Sequence, residues 1–416
     1  MGRLKVLFVG ESATLAHVCR PFQLATSLDP NKYEACFAAD NYFDFVFNDS
    51  PIKSFPLYSR SPVEFEKILR KKGILFDAHL LETYVRDELR LCKEVGPDIV
   101  VGDLRPSLAV TCQVLGIPLV TLTNAYWSPL RKDLQFPFPY SPILSSVRPT
   151  AIAKGILKLG EKLIQRSVPS ILAAQGKGIN EVLEKFSLDP FVDYLTGFTW
   201  GNRTIYCDPR SLAPNLRIPN THEFIGPVTW SPKIPLPDWW KDVKKPFVYI
   251  SLGSSGDISL IKLLSSALES FPVSVVIATA GKKIDFSLPK NFFAADYLPG
   301  SKVLVQAELA ITNGGSPSSY QALELGVPVL GLPMNMDQLL CMQQIAKQGS
   351  GVMLRADIVN KKSIIKAVES LMGESDCRHR ARLTEGECLL LSRSNVFESV
   401  LDGLLPQFEE QMTGNQ

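Results

Sequence analysis

The sequence predicts two doubly wound α/β domains in series, with a cleft between their facing loops. Three observations carry this. Short β-branched apolar runs alternate with helical periodicity. The alternation breaks off in a proline-rich stretch and then restarts, and 416 residues exceed what one hydrophobic core comfortably serves. Strand, helix and strand in succession demand parallel pairing through right-handed crossovers, which places helices on both faces of a sheet.

In the first half, strands are expected at 4–9, 34–39, 98–103 and 118–123, with Ile205 and Tyr206 in a later one; helices fall at 13–28, 78–94 and 106–115. Prolines then stand at 209, 214, 219, 227, 232, 235, 237 and 246, and proline suits neither a central strand nor a helix interior. Only a short strand at Phe224-Ile225 fits there, so the domain boundary belongs in this connection. It divides the chain into 1–225, 226–393 and a helix and tail, 394–416, expected to cross back to the first domain. Beyond it, strands resume at 247–252, 273–279, 292–296, 309–312 and 327–332, with helices at 259–271, 318–325, 337–348, 361–372 and around 395–405.

Composition narrows the class. Lys plus Arg is 44 against 42 for Asp plus Glu, a balance without the basic footprint of a nucleic-acid binder. No apolar run reaches the roughly 18 residues that span a bilayer. The first residues run into Glu11 after a short apolar stretch, which reads as a first strand rather than a leader. The eight cysteines form no Cys-x-x-Cys pair and read as reduced thiols, so a cytoplasmic protein is expected.

The segment most informative about chemistry is 311–338. It reads as a strand, the turn Asn313-Gly314-Gly315-Ser316, and a helix. Glycines let a ligand approach the backbone, and a helix N-terminus offers free N–H groups and the positive end of a dipole. A diphosphate suits such a site; a turn with no ligand fits the same pattern.

Gly315, Ser318, Ala322-Leu323, Gly326-Val327-Pro328, Pro333 and Asp337-Gln338 match, in order and spacing, the donor signature of another group of proteins. The segment resembles the UDP-glycosyltransferase superfamily, nucleotide-sugar enzymes of the GT-B fold with bacterial members. The resemblance implies two facing Rossmann-like domains. It assigns Gly315 and Ser318 to the pyrophosphate, Gln321 to a ribose position where many members carry Glu, and Asp337 and Gln338 to sugar hydroxyls. Tyr297-Leu298-Pro299 resembles the base-binding loop, with Tyr297 offering a stacking ring. Gly253 and Ser254 correspond to a turn whose hydroxyl reaches the diphosphate. The chain departs from the pattern at Asn313, where His is usual, at Pro317, and at Gly300, where many relatives carry Gln.

Sugar transfer to a hydroxyl needs a base for the acceptor's proton. Of four histidines, only His17 follows directly on a strand expected at the cleft, in Gly10-Glu-Ser-Ala-Thr-Leu-Ala-His-Val-Cys-Arg-Pro21. Asp103 ends the strand 98–103, where a neighbouring strand end can face that loop. Helix capping by both residues is the plainer reading of the spacing. The resemblance implies instead a catalytic pair, with Asp103 orienting His17. His79 and His379 read as surface residues and His222 as part of the linker.

No Asp-x-Asp triplet and no zinc spacing occurs, so no metal is expected. Ile152, Ile156, Leu159 and Leu163 recur at helical spacing, with Lys154, Lys158, Lys162 and Arg166 on another face. A half-buried helix is the first reading of this pattern and a peripheral membrane contact the second. The resemblance places Tyr126, Trp127 and the stretch 136–140 at the acceptor pocket, which favours an apolar small-molecule or lipid acceptor.

The expected function is inverting, metal-independent transfer of a hexose from a UDP- or dTDP-sugar to a hydroxyl. No cofactor or nucleic-acid partner is implied, and monomer and homodimer remain open. The rivals are an epimerase of the same fold and a non-catalytic nucleotide-sugar-binding protein.

Overall fold

The computed structural model describes residues 2–71, 73–132, 135–141, 151–191, 193–253 and 256–405, except the side chains at 151–154, 156 and 158. The first half runs β1 (Leu4–Gly10), α1 (Leu15–Ser27), β2 (Tyr33–Ala39), β3 (Lys53–Pro56), α2 (Pro62–Lys71), α3 (Ala78–Val95), β4 (Ile99–Asp103), α4 (Leu108–Leu115), β5 (Leu119–Thr123), α5 (Ala151–Lys185), β6 (Arg203–Tyr206) and β7 (His222–Phe224). The second runs β8 (Phe247–Ser251), α6 (Leu260–Leu268), β9 (Ser274–Ala278), β10 (Phe292–Ala295), α7 (Gly300–Leu304), β11 (Leu309–Thr312), α8 (Ser316–Leu323), β12 (Val329–Gly331), α9 (Met336–Gln348), β13 (Gly351–Met353), α10 (Lys361–Leu371), α11 (Asp376–Leu390) and α12 (Arg393–Asp402).

These strands form two sheets, ordered 3-2-1-4-5-6-7 and 10-9-8-11-12-13. Every strand pair is parallel. The strand order reverses direction between β1 and β4 in the first sheet and between β8 and β11 in the second. Loops leaving neighbouring strands in opposite directions open a crevice there, which is where doubly wound sheets bind ligands. Gly10 is in register with Asp103 at the first reversal, and Ser251 with Thr312 at the second. Both segments singled out in the sequence therefore begin at these reversals.

The central strands are apolar throughout because helices cover both sheet faces: Val6, Phe8, Val101 and Val120 are fully buried in one half, and Val248, Ile250 and Ile311 in the other. Helix α12 packs on the first half, with Phe397 and Leu401 fully buried and the Phe397 ring 6.1 Å from that of Phe8. Burial at about 1.5–3 kcal/mol per large apolar side chain makes this a firm attachment.

Helix α5 corrects the expected burial pattern. Leu159 and Leu163 are 61% and 55% exposed, while Ile164, Val168 and Leu172 turn inward and Ile179, Val182 and Leu183 are buried. Two apolar stripes run along this helix, and spacing alone does not say which one meets the protein. The side chains of Ile152, Lys154, Ile156 and Lys158 lie outside the described residues. Among the described residues no helix is long and apolar enough to cross a membrane. His222 lies in β7 rather than in a linker, with its Nδ1 2.9 Å from the Tyr206 hydroxyl.

Candidate active site

His17 is the third residue of α1, directly beyond the β1 strand end. Gly10 permits that placement, since a Cβ there would sit 2.9 Å from the His17 carbonyl oxygen. The His17 Nδ1 lies 2.9 Å from Asp103 Oδ1, with the imidazole 20% exposed and the carboxylate 1% exposed. An ionised carboxylate only accepts, so Nδ1 carries the shared proton, which in a neutral imidazole leaves the lone pair on Nε2.

Arg20 escaped the sequence reading. One helical turn after His17, it donates from Nε to Asp103 Oδ2 at 2.6 Å and from Nη2 to Oδ1 at 3.2 Å. Burial alone would push the Asp103 carboxyl up, but the charges of Arg20 and His17 and their hydrogen bonds hold it below the usual carboxylate range. The available signal was the i, i+3 spacing, which puts Arg20 on the same helix face as His17.

From Arg20 a hydrogen-bonded chain crosses the cleft. Its Nη1 donates to Asn124 Oδ1 at 3.0 Å, and the Ser316 hydroxyl reaches the same oxygen at 3.4 Å. Asn124 Nδ2 donates to Asp208 at 3.1 Å, and Asp208 also accepts the Ala125 N–H at 2.7 Å and the Tyr320 hydroxyl at 2.6 Å. Burial pushes the Asp208 carboxyl up despite these donors. The residues around His17 are thus tied directly to the first turns of α8.

At the second sheet's reversal, Gly253 (φ +62°) and Gly314 (φ +82°) take the left-handed conformation. A Cβ on Gly314 would also strike Met342 at 2.6 Å. The turn that follows corrects the expected N–H inventory. Gly314 N–H donates to Thr312 Oγ1 and Gly315 N–H to Asn313 Oδ1, both at 3.0 Å. Short polar side chains satisfy the backbone two residues on, so Asn313 closes its own turn. A helix leaves its first N–H groups without internal partners. Pro317 has none, so those of Ser316 and Ser318 are the ones left without a partner inside α8. Ser254 lies outside the described residues.

Three further assignments change. Leu298 is 3% exposed and belongs to the core, so only its backbone can face a base. Gln321 donates to the Trp230 carbonyl at 3.1 Å and fills the space above Gly300, where a Cβ would lie 2.4 Å from its Oε1. Gln338 is 2% exposed, and its Oε1 accepts the Met334 N–H at 2.8 Å.

Tyr297 is 42% exposed, with its ring 5.9 Å from that of Phe45, which reaches over from the first half. Asp337, half-buried in the first turn of α9, accepts on Oδ1 from Tyr126 Oη at 3.0 Å and Trp127 Nε1 at 2.8 Å. Tyr126 is 1% exposed, so it is not the open acceptor contact the sequence suggested. Arg355, unforeseen, pins the 136–141 stretch by donating to the carbonyls of Phe138 at 2.5 Å and Pro139 at 3.2 Å. Among the described residues no group of three or more His, Cys, Asp or Glu gathers as a metal site.

The family described as erythromycin biosynthesis protein CIII-like, C-terminal domain, matches residues 263–390, which include the turn at 313–318 and Asp337. A PGL/p-HBAD biosynthesis glycosyltransferase of Mycobacterium tuberculosis (strain ATCC 25177 / H37Ra) is 39% identical over 388 residues, covering 91% of this chain and 87% of the relative. The chain belongs to the UDP-glycosyltransferase superfamily. This glycosyltransferase is also 37% identical over 382 residues to a PGL/p-HBAD biosynthesis rhamnosyltransferase of Mycobacterium bovis (strain BCG / Pasteur 1173P2), covering 91% of the chain and 83% of the relative. Its GT-B fold is shared with the spinosyn rhamnosyltransferase SpnG, solved with spinosyn aglycone, at a TM-score of 0.70 and 17% identity over 96% of this chain and all of the other. SpnG has also been solved with thymidine diphosphate.

Proposed function

We propose that this glycosyltransferase moves a hexose from a UDP- or dTDP-sugar to a hydroxyl of an apolar small-molecule or lipid acceptor, inverting the anomeric centre without a metal. The observation that carries the reading is the His17–Asp103 contact at 2.9 Å, made at the strand reversal and tied through Arg20 and Asn124 to Ser316. His17 Nε2 takes the acceptor's hydroxyl proton while that oxygen bonds to the anomeric carbon. The bond from carbon to the diphosphate oxygen breaks with its electron pair, and the diphosphate leaves. One displacement inverts the centre.

Charge on the leaving group is met by the Ser316 and Ser318 N–H groups and the Ser318 hydroxyl at the positive end of α8, and Gly253 and Ser254 are assigned to the same diphosphate. Tyr297 stacks on the base, and Asp337 reads the sugar. The relatives named as rhamnosyltransferases favour a 6-deoxyhexose, and the thymidine diphosphate complex of SpnG favours dTDP. With a panel of UDP- and dTDP-hexoses and hydroxylated apolar acceptors, the product is expected to carry the opposite anomeric configuration to the donor, at a rate unchanged by EDTA. Retention of configuration, or a rate that requires added divalent ions, contradicts the reading.

A lipid acceptor would be met at a surface, and α5 supplies one. The exposed Leu159 and Leu163 lie beside the exposed Lys162 and Arg166, a pairing that suits an anionic bilayer. The protein is expected to co-sediment with phosphatidylglycerol vesicles at low salt and not with phosphatidylcholine vesicles. The double variant Leu159→Glu, Leu163→Glu should lose that binding; equal sedimentation with and without it removes α5 from the contact.

A further inference from the structure

The polar atoms of Tyr126 and Trp127 are committed elsewhere than to an acceptor. Both donate to one oxygen, Oδ1, of Asp337 on the opposite domain. A carboxylate has acceptor capacity on both oxygens, and these bonds leave Oδ2 outside them. Asp337 sits in the first turn of α9, at the end of the helix that carries partial positive charge. Burial and the Asp337 charge push the Tyr126 hydroxyl up, so it stays protonated and donates. The Trp127 indole is held in turn by stacking on Phe198, with centroids 5.1 Å apart and planes 11° off parallel. Donors fixed by packing on one domain thus orient a carboxylate on the other.

We propose that Tyr126 and Trp127 are positioning residues for the donor sugar, holding Asp337 so that its second oxygen meets a sugar hydroxyl only when the two domains are closed on each other. This rests on the reading that Asp337 contacts the sugar. A nucleotide sugar then binds a site completed by the acceptor-side domain, whereas a nucleoside diphosphate, which lacks the hydroxyl, does not depend on it.

Calorimetric Kd values for a nucleoside diphosphate and its sugar conjugate, in the wild type, Tyr126→Phe, Trp127→Phe and Asp337→Asn, test this. Each variant is expected to weaken the conjugate by about tenfold relative to the diphosphate, the scale of losing one hydrogen bond to a charged group. Diphosphate affinity and the acceptor KM should stay unchanged. If Asp337→Asn shows the selective loss while Tyr126→Phe and Trp127→Phe instead raise the acceptor KM, the positioning role is overturned and the donor reading survives. If Asp337→Asn leaves the ratio unchanged, Asp337 does not read the sugar, and both fall.

Discussion

His17→Ala is expected to lower kcat by about 10²–10⁴, the range in which a positioned general base contributes, while the Kd for the nucleotide sugar is unchanged. Asp103→Asn should cost a comparable factor for a different reason. The amide offers no anion to stabilise the imidazolium, and it can turn its NH₂ toward Nδ1, which reverses the tautomer and directs a proton at the acceptor oxygen. Initial rates at saturating donor, with donor affinity by calorimetry, separate the two effects. A His17→Ala variant within threefold of the wild type places the base elsewhere.

Arg20→Leu is expected to lower stability by about 3–5 kcal/mol at pH 7, because it strands the buried Asp103 charge. The sign of its pH dependence follows from the same pair. In the wild type the Asp103 carboxyl is held below its ordinary 3.8, so its stabilisation is present above that value and lost as pH falls through the lower folded value. Without Arg20, burial dominates and raises the carboxyl, so the variant's folded state takes up a proton as pH falls. The gap between the two proteins should therefore be widest near neutrality and narrow on acidification. Urea titrations at pH 7 and pH 4.5 measure it. The double variant Arg20→Leu, Asp103→Leu should recover much of the loss at pH 7, since well-packed apolar residues replace buried ion pairs at little cost. A deficit independent of pH, or no recovery, would mean that the pair is not the cause.

Much of the fold was legible because buried parallel strands announce themselves. β1, β4, β8 and β11 are short apolar runs whose ends carry the glycines and polar residues of the site. What was missed lies where that signal is weak. β3 is the edge strand Lys-Ser-Phe-Pro with little burial, and β13 is a three-residue edge. Amphipathic α2 and polar α11 went unassigned for want of a marked apolar run.

The site divides the same way. His17, Asp103 and the 313–338 segment stand at strand ends that local order along the chain marks, and the family resemblance supplies their roles. Arg20, Asn124 and Asp208 matter through partners 83 to 192 residues away, and no local pattern encodes such pairings. Tyr126 and Leu298 were misjudged because an aromatic or apolar residue beside a site serves the core as readily as a ligand. Asn313 stands where the resemblance leads one to expect His. Its short amide instead closes the turn on Gly315, a role the dipeptide Asn-Gly already allowed.

A crystal structure of the enzyme with an intact nucleotide sugar tests the central claim most directly. The diphosphate should lie on the Ser316 and Ser318 N–H groups, with the anomeric carbon facing His17 Nε2 and room between them for one acceptor oxygen. A diphosphate bound away from the start of α8, or an imidazole turned from the sugar while still bonded to Asp103, would contradict it.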